Sequence, residues 1–430
     1  MDTEAKNIAG KALKMILSRG ANQASVRVSH AVSNSFDVSD GTLEKVFGSS
    51  ESMLSLQIYS EGKYGTFSSN RISEDSLEGF IDECMGAMEF IQKSPYRRLP
   101  QKELYFSGEI PDMGIFDKSF LDTDPELKRS IAYDTYNEMK DKEGVINATS
   151  SFSDYLENSF LLDSNGFEGY SESTLSSISA ECTVSDSKRR SMSYWWESSP
   201  FIKELEWKGV GEKAWQRAIE KRGAKAVATG LYDIIIDSCV SQNIIRPIID
   251  ALSGDYLANN ESFLLKRNGE KVFNDKFNIV DIPWKRGKTA SRLWDCDGVA
   301  QHKNNVIENG TLKYRYLNTY NAARMNVSQT VDEPSILCIE PFGCTSLING
   351  IIVTGFNGGN CNISTGDFSY GIEGYMVKDG KKVHPICGMN FSGNIISLFN
   401  SIEGAGKEYR KCQKWEIPSL LFKRCFLSGL

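Results

Sequence analysis

Phe356-Asn-Gly-Gly-Asn-Cys-Asn-Ile-Ser-Thr-Gly-Asp-Phe-Ser-Tyr-Gly-Ile-Glu-Gly-Tyr-Met-Val-Lys-Asp-Gly-Lys-Lys-Val-His-Pro-Ile386 reads as a hairpin with an unusual first arm. Phe368, Tyr370, Ile372 and Met376 fall on alternate positions, the period of a strand with one buried face. Lys378-Asp379-Gly380-Lys381 then forms a tight turn, because Asp-Gly supplies the positive φ that a type I′ turn demands. The first arm carries Gly371 and Gly374, and the polar loop before it carries Gly358, Gly359 and Gly366. Backbone is thereby left bare along one edge, with Thr365, Asp367 and Ser369 beside it. A peptide or a partner strand would be held there by main-chain hydrogen bonds. The same glycines also suit bulges or bends in a curved sheet.

The chain around this hairpin has 430 residues. That is enough for two domains, since single cores rarely grow past about 250–300 residues. Net charge is −7 and the basic residues are dispersed. Lys188-Arg189-Arg190 and Lys285-Arg286-Gly287-Lys288 read as solvated loops, so direct nucleic-acid binding is not expected. Gly287-Lys288-Thr289 lacks the earlier glycine of a phosphate loop, that place being Ile282. The N-terminus, Met1–Lys6, opens an amphipathic helix without a secretory pattern, and no apolar run approaches a membrane span. Ten cysteines include no Cys-x-x-Cys, and Cys338 and Cys425 sit in strand-like apolar runs. Scattered buried thiols suit a reducing compartment, and a cytoplasmic location with no membrane partner is expected.

Toward the N-terminus an internal repeat organises the first two hundred residues. A helix around Ala5–Ser18 precedes strand-like runs at Ser25–Ala31, Ser35–Val38 and Met53–Tyr59. A second helix, Pro125–Lys140, precedes Gly144–Ser150, Asn158–Asp163 and Ser173–Val184. Asp40-Gly41 in one copy answers Asn165-Gly166 in the other, each a hairpin turn after an alternating strand. The helix Glu74–Lys93 links the halves. Serines at alternate positions of Ser173–Cys182 predict one wet sheet face. Trp195-Trp196 is expected to pack this unit onto the next. After a junction at 197–210, a helix (Glu212–Arg222), an apolar strand (Leu231–Ile236) and a helical run (Gln242–Leu252) lead back toward the hairpin.

The run Thr365-Gly366-Asp367-Phe368-Ser369, with Gly371, Gly374, Gly380-Lys381 and Pro385, resembles the C-terminal signature of the TldD/PmbA family, the so-called modulators of DNA gyrase. Gly393-Asn394-Ile395, Gly404, Gly406, Pro418 and Ser428-Gly429-Leu430 agree with it. In the catalytic branch of that family a His-Glu-x-x-x-His motif on the helix after the apolar strand supplies two zinc ligands and a general base, and a distant cysteine supplies a third ligand. Neutral imidazoles bind zinc, and zinc acidifies the water that attacks a peptide carbonyl. Here that helix reads Ile244-Ile245-Arg246-Pro247-Ile248-Ile249-Asp250. The two histidine places fall on Ile245 and Asp250 and the glutamate place on Arg246. The chain has three histidines, His30, His302 and His384, no two of them close in sequence. The resemblance is therefore to the PmbA branch, also called TldE, which lacks the metal motif.

Other chemistry is also legible. Asp295-Cys296-Asp297 with His302, or His384 with Cys387, has metal-ligand types without a recognised spacing. Cys361 with His384 has the types of a cysteine-peptidase dyad but no visible orienting group.

The reading is an α+β protein: a duplicated helix-plus-antiparallel-sheet domain over 1–200 and a β-rich domain over 201–430. The resemblance implies a metal-free subunit, with no cofactor or catalytic residue of its own, in a zinc peptidase acting on unfolded peptides. Its partner would be a homologous zinc-carrying subunit. Gly358, Gly359, Thr365, Gly366, Asp367, Ser369, Gly371 and Gly374 would face the peptide or that partner. The resemblance implies toxin–antitoxin or peptide-antibiotic precursors as substrates, and an indirect link to gyrase. The contrasting reading is a binding protein acting alone, as a homodimer, on a topoisomerase or toxin.

Overall fold

The computed structural model describes residues 2–186, 190–411 and 414–429; Lys188 and Arg189 of the basic cluster, Cys412 and Leu430 lie outside the described residues. In the first half, helix α1 (Asp2–Ser18) leads into strands β1 (Gln23–Ser39), β2 (Thr42–Ser60) and β3 (Lys63–Ser69), then helix α2 (Glu74–Met88). The pattern repeats as α3 (Pro125–Asn137), β4 (Val145–Asp163), β5 (Glu168–Ser185), β6 (Arg190–Ser199) and α4 (Val210–Ile219). All six strands form one sheet in the order β3-β2-β1-β4-β5-β6. The two copies therefore meet at an antiparallel β1/β4 seam, arranged as the halves of a twofold-symmetric sheet. The duplication read from the sequence is visible in that order.

The runs expected as separate strands are continuous, Ser25–Ala31 with Ser35–Val38 in β1, and Gly144–Ser150 with Asn158–Asp163 in β4. Polar residues at their midpoints do not break the ladder, because they are satisfied across the seam. Asn34 Nδ2 donates to Asp154 Oδ1 at 2.8 Å, and Lys128 of α3 reaches Asp154 at 2.6 Å. Lys128 and Asp154 are both buried, so each needs the other.

Helices cover one face of this sheet. Ala9, Ala12 and Ile16 lie along one stripe of α1 and are fully buried on it. Val210, Ala214 and Ala218 of α4 join Phe152 and Ile178 in a common cluster. The N-terminal unit therefore runs on through α4, past the boundary expected at residue 200. The other face carries Ser171, Ser173, Ser177 and Ser179, each at least partly exposed. Trp195 and Trp196 meet Arg410 of the C-terminal half, whose guanidinium lies 3.8 and 4.5 Å from the two ring centroids.

That half begins with β7 (Gly230–Ile236), α5 (Gln242–Ala251) and α6 (Gly254–Ala258). A five-stranded sheet follows, built from β8 (Ile279–Ile282), β9 (Asn304–Glu308), β10 (Thr311–Leu312) and β11 (Ile336–Cys338), with α7 (Thr319–Met325) between β10 and β11 and with β17 (Trp415–Glu416) at its edge. The remaining strands are β12 (Phe342–Gly343), β13 (Gly350–Cys361), β14 (Asp367–Lys378), β15 (Lys381–Asn394), β16 (Ile402–Tyr409) and β18 (Pro418–Ser428), with α8 (Ile395–Asn400) after β15. Their order with β7 is β12-β16-β18-β15-β14-β13-β7, and β18 also pairs with β7. Strands β7, β13, β14, β15 and β18 thus close a ring, a small barrel whose core takes in α5.

The hairpin at the centre of the sequence reading is β14–β15. Asp379 and Gly380 have φ of 50° and 73°, and Lys378 pairs with Lys381, as a type I′ turn requires. Phe368, Tyr370 and Ile372 are buried on alternate positions. Met376 continues the series, partly covered and packed against the same core cluster, while Tyr375 and Val377 are buried on the other face; the register shifts place their extra residues in β13 and β15 rather than in β14.

Candidate functional site

Helix α5 stands where the family's metal helix is expected, and its composition explains its position. Ile244, Ile245 and Ile248 are fully buried and Ile249 nearly so, together anchoring the helix in the barrel core. Each such side chain contributes about 1.5–3 kcal/mol on burial. Pro247 inside the helix removes one backbone donor, a defect this packing must outweigh. Ile245 offers no donor atom to a metal. Arg246 is exposed and brings a positive charge. Asp250 is the one carboxylate left among the three motif places, and a single carboxylate does not make a tetrahedral zinc site. Among the described residues no group of three or more His, Cys, Asp or Glu side chains is placed to hold a metal ion. The residues present do not fit zinc.

What surrounds Asp250 is a small charged cavity of about 290 Å³, lined by Arg246, Asp250, Tyr316, Asp332, Glu333 and Lys414 among others. Burial raises the pKa of Asp250, opposed by the charges of Arg246 and Lys414. Asp250 in turn lies near Cys361 and Tyr370 of the hairpin. Burial pushes the Cys361 thiol up to about 11, with Asp367 and Asp250 adding to it. Tyr370 is pushed up to about 12 by burial, then by Cys361 and Asp250. The α5 helix and the glycine loop therefore form one locale. No local sequence pattern joins Asp250 to Cys361, which lie so far apart in the chain and come near each other only in the fold.

The loop residues singled out from the sequence divide into three groups. Gly371 and Gly374 are in β14, which is paired on both sides, with β13 and with β15. The bare edge expected there is not an edge. A Cβ at Gly374 would collide with the Ile352 carbonyl oxygen, and one at Gly371 with that of Asn357. These glycines let β13 approach closely at its register shifts. Gly359, at φ 90°, does the same from the opposite strand, against Ser369 O.

Thr365, Gly366, Asp367 and Ser369 form a tied turn and its continuation. Asn394 Nδ2 donates to Thr365 O at 3.0 Å and to Asp367 Oδ1 at 2.9 Å, and Ile395 N donates to Gly366 O at 2.8 Å. The Asn394 bond, helped by Thr365, holds the Asp367 carboxyl below its usual range. Ser369 pairs with Asn390 on the exposed face. Gly358 is exposed, with open space around it.

A free edge does exist, one strand further out. Strand β7 pairs with β13 only over Ile351–Val353 before the chain turns into α5. From Gly355 to Cys361, β13 is paired among the described residues on the β14 side only, and Asn357, Gly358, Gly359 and Asn360 are exposed. The signal available was length: a seven-residue strand cannot flank a twelve-residue one to its end.

The other constellations do not assemble. Cys361 pairs with Phe368 while His384 pairs with Met376, so the two lie toward opposite ends of the hairpin, eight β14 positions or roughly 26 Å apart along the strand. The His384 ring bonds the neighbouring Pro385 carbonyl instead, Nδ1 to O at 2.9 Å. Asp295 is a buried turn cap. Its Oδ1 accepts from Asp297 N at 2.9 Å and Val299 N at 3.0 Å, and its Oδ2 from Asp332 N at 3.2 Å. Burial, with the charges of Asp332 and Asp297, pushes its carboxyl up to about 7. Arg27 of β1 donates to Cys296 O at 2.7 Å, making this turn a joint between the two halves.

Three descriptions from one protein family fit the chain in succession: the PmbA/TldA metallopeptidase domain 1 over residues 24–87, the central domain over 118–222 and the C-terminal domain over 229–429. The crystal structure of a proposed modulator of DNA gyrase from Bacteroides thetaiotaomicron superposes with a TM-score of 0.96, at 36% identity over 99% of each chain. Metalloprotease PmbA of Escherichia coli O157:H7 is 21% identical over 94% of this chain and 92% of its own length. TldE from Thermococcus kodakarensis shares the fold, with a TM-score of 0.84 at 14% identity, over 98% of this chain and all of that one.

Proposed function

The chain belongs to the PmbA/TldD metallopeptidase family, and we propose that within it this protein is the metal-free subunit of a cytoplasmic peptidase, completing a chamber with a homologous zinc-carrying partner. One observation carries the reading. The helix that would present the metal ligands is retained and shares a core cluster with Phe368 and Tyr370 of the hairpin, while its motif places hold Ile245, Arg246 and Asp250. A scaffold kept around an empty motif is expected if it shapes a site whose chemistry the partner supplies.

The contribution of this chain is then positional. The free edge of β13 from Gly355 to Cys361 offers unpaired backbone groups to an extended peptide, and such pairing is indifferent to side-chain sequence. Gly358 keeps that edge clear. Free thiols, nine among the described residues, accord with a reducing compartment.

Mixing this protein with a relative that carries His-Glu-x-x-x-His tests the reading. A mixed dimer should form at micromolar concentration in sizing experiments, and peptidase activity should appear only in that fraction. Equal digestion by the relative alone, or failure of the two to co-elute, sinks the proposal. An obligate pairing of this kind should bury upwards of roughly 2,000 Å².

A further inference from the structure

The two copies of the N-terminal repeat differ in one edge. Strand β2 pairs with β1 throughout, but β3 covers its outer side only from Leu54 to Ser60. Among the described residues nothing pairs with that side from Lys45 to Glu51, where Val46 is 61% and Phe47 46% exposed. In the second copy β6 likewise covers only the later part of β5, from Ser176 onward. There the earlier part is closed by the chain itself: Thr174 N donates to Ile115 O at 2.8 Å, and the Trp294 ring packs at Gly169. Of two equivalent edges, one is covered from within and the other stands open.

The open stretch has a register for pairing with itself. Tyr59 O accepts from Asn22 N beside β1, so odd-numbered residues of β2 turn their backbone groups toward β1. Even-numbered ones turn theirs outward, as Ser60 does toward Lys63 of β3. No register shift falls between Lys45 and Tyr59, so Val46, Gly48 and Ser50 present free N–H and C=O groups. Two such strands related by a twofold axis run antiparallel. With the axis at Gly48, that residue meets its own copy and Val46 meets Ser50, all as hydrogen-bonded pairs. Lys45 then stands opposite Glu51 in a non-hydrogen-bonded pair, where side chains approach most closely. The axis repeats that pair, and no other axis brings these opposite charges together. Neither Lys45 nor Glu51 has an ion-pair partner among the described residues. Edge charges ordinarily discourage pairing; in this register alone they favour it.

We propose that the Lys45–Glu51 edge of β2 pairs with the same edge of a second copy of this chain, joining two N-terminal sheets into one. The edge shares no residue with α5 or β13, so this inference goes beyond the mixed pairing proposed above and does not depend on it. So short an edge buries less than a standard interface, and the dimer should be weak and concentration-dependent.

The test is sedimentation of the full chain across the micromolar range, with charge reversals at these exposed positions. The unaltered chain should dimerise as its concentration rises. Lys45→Glu and Glu51→Lys should each weaken dimerisation at least tenfold, because like charges directly opposite repel. Combined in one chain, or mixed in equal amounts as the two single variants, they should restore it to within threefold, since every facing pair is again of opposite sign. A chain monomeric throughout that range, a dimer indifferent to the single reversals, or a loss that neither combination repairs overturns the proposal. A chain that is monomeric alone, but whose single reversals weaken its pairing with a zinc-carrying relative, also overturns it and gives the edge to that partner.

Discussion

The two halves of this molecule build sheets by different rules. In the N-terminal half, β1 pairs with β4 without interruption from Ser25↔Asp163 to Ser39↔Thr149. In the C-terminal barrel, β13 and β14 lose register between Val353 and Gly355 and again between Phe356 and Gly359, and β14 and β15 lose it twice more. An open sheet needs only alternation to choose its faces. A closed ring of short radius must also bend, and it bends where a residue without a side chain lets a neighbouring carbonyl come close. Gly359, Gly371 and Gly374 at the barrel's register shifts therefore each face a neighbouring carbonyl oxygen, whereas Gly48 in the open sheet does not.

That contrast breaks most visibly at Gly374. Its φ is not in the left-handed region, so valine would suit the local backbone, yet its Cβ would meet the Ile352 carbonyl. Gly374→Val should cost more than about 4 kcal/mol or abolish cooperative urea unfolding. An unchanged midpoint would mean the barrel tolerates a side chain at its bulge.

The joint between the halves should respond to pH. Unfolded, Asp295 releases its proton near the ordinary 3.8, whereas folded it keeps it up to about 7. The folded state then binds more protons between those values, so stability falls as pH rises from about 4 to 7 and levels off above. The loss should be on the order of 4 kcal/mol, and Asp295→Asn should flatten it in urea titrations run across pH 4–8. Parallel curves for the two proteins would remove Asp295 from the account.

A smaller effect is expected at Asn394, which ties Thr365 and Asp367. Asn394→Ala should cost about 1–2 kcal/mol and speed amide hydrogen exchange at Gly366 and Asp367, leaving the N-terminal sheet untouched. Smallest of all is Gly48→Val in β2, where a Cβ would meet nothing closer than Asn34 Oδ1 at 3.5 Å. It should change stability by less than about 1 kcal/mol in either direction, and a cost like that of Gly374→Val would erase the distinction between the halves.

Legibility in the sequence follows the same divide. The duplication, the Asp40-Gly41 and Asp379-Gly380 turns and the buried face of Phe368, Tyr370 and Ile372 are local signals, readable within a few residues. Asn34 and Asp154 looked like strand breaks because Asn34 finds its partner in Asp154, 120 positions away, and Asp154 also needs Lys128 of another element. The extra residues in β13 and β15 were not legible, because alternation along β14 does not register a bulge in a neighbouring strand. Gly371 and Gly374 read as a bare edge because composition does not say which strand lies alongside. The losses at Ile245 and Arg246 were plain from residue type alone, whereas the proximity of Asp250 to Cys361 depends on barrel closure.

That closure has a consequence for biogenesis. Strand β7 forms early in synthesis of the C-terminal half, but one of its two neighbours is β18, and Lys423 reaches Asp233 across 190 positions. Helix α5, with its unbroken isoleucine face, must therefore wait on the ribosome with part of its barrel missing, long after the N-terminal sheet can have folded. Sequence separation of this order slows folding and exposes apolar surface to aggregation. A nascent chain stalled before Pro418 should be a chaperone client, and one released after Ser428 should not.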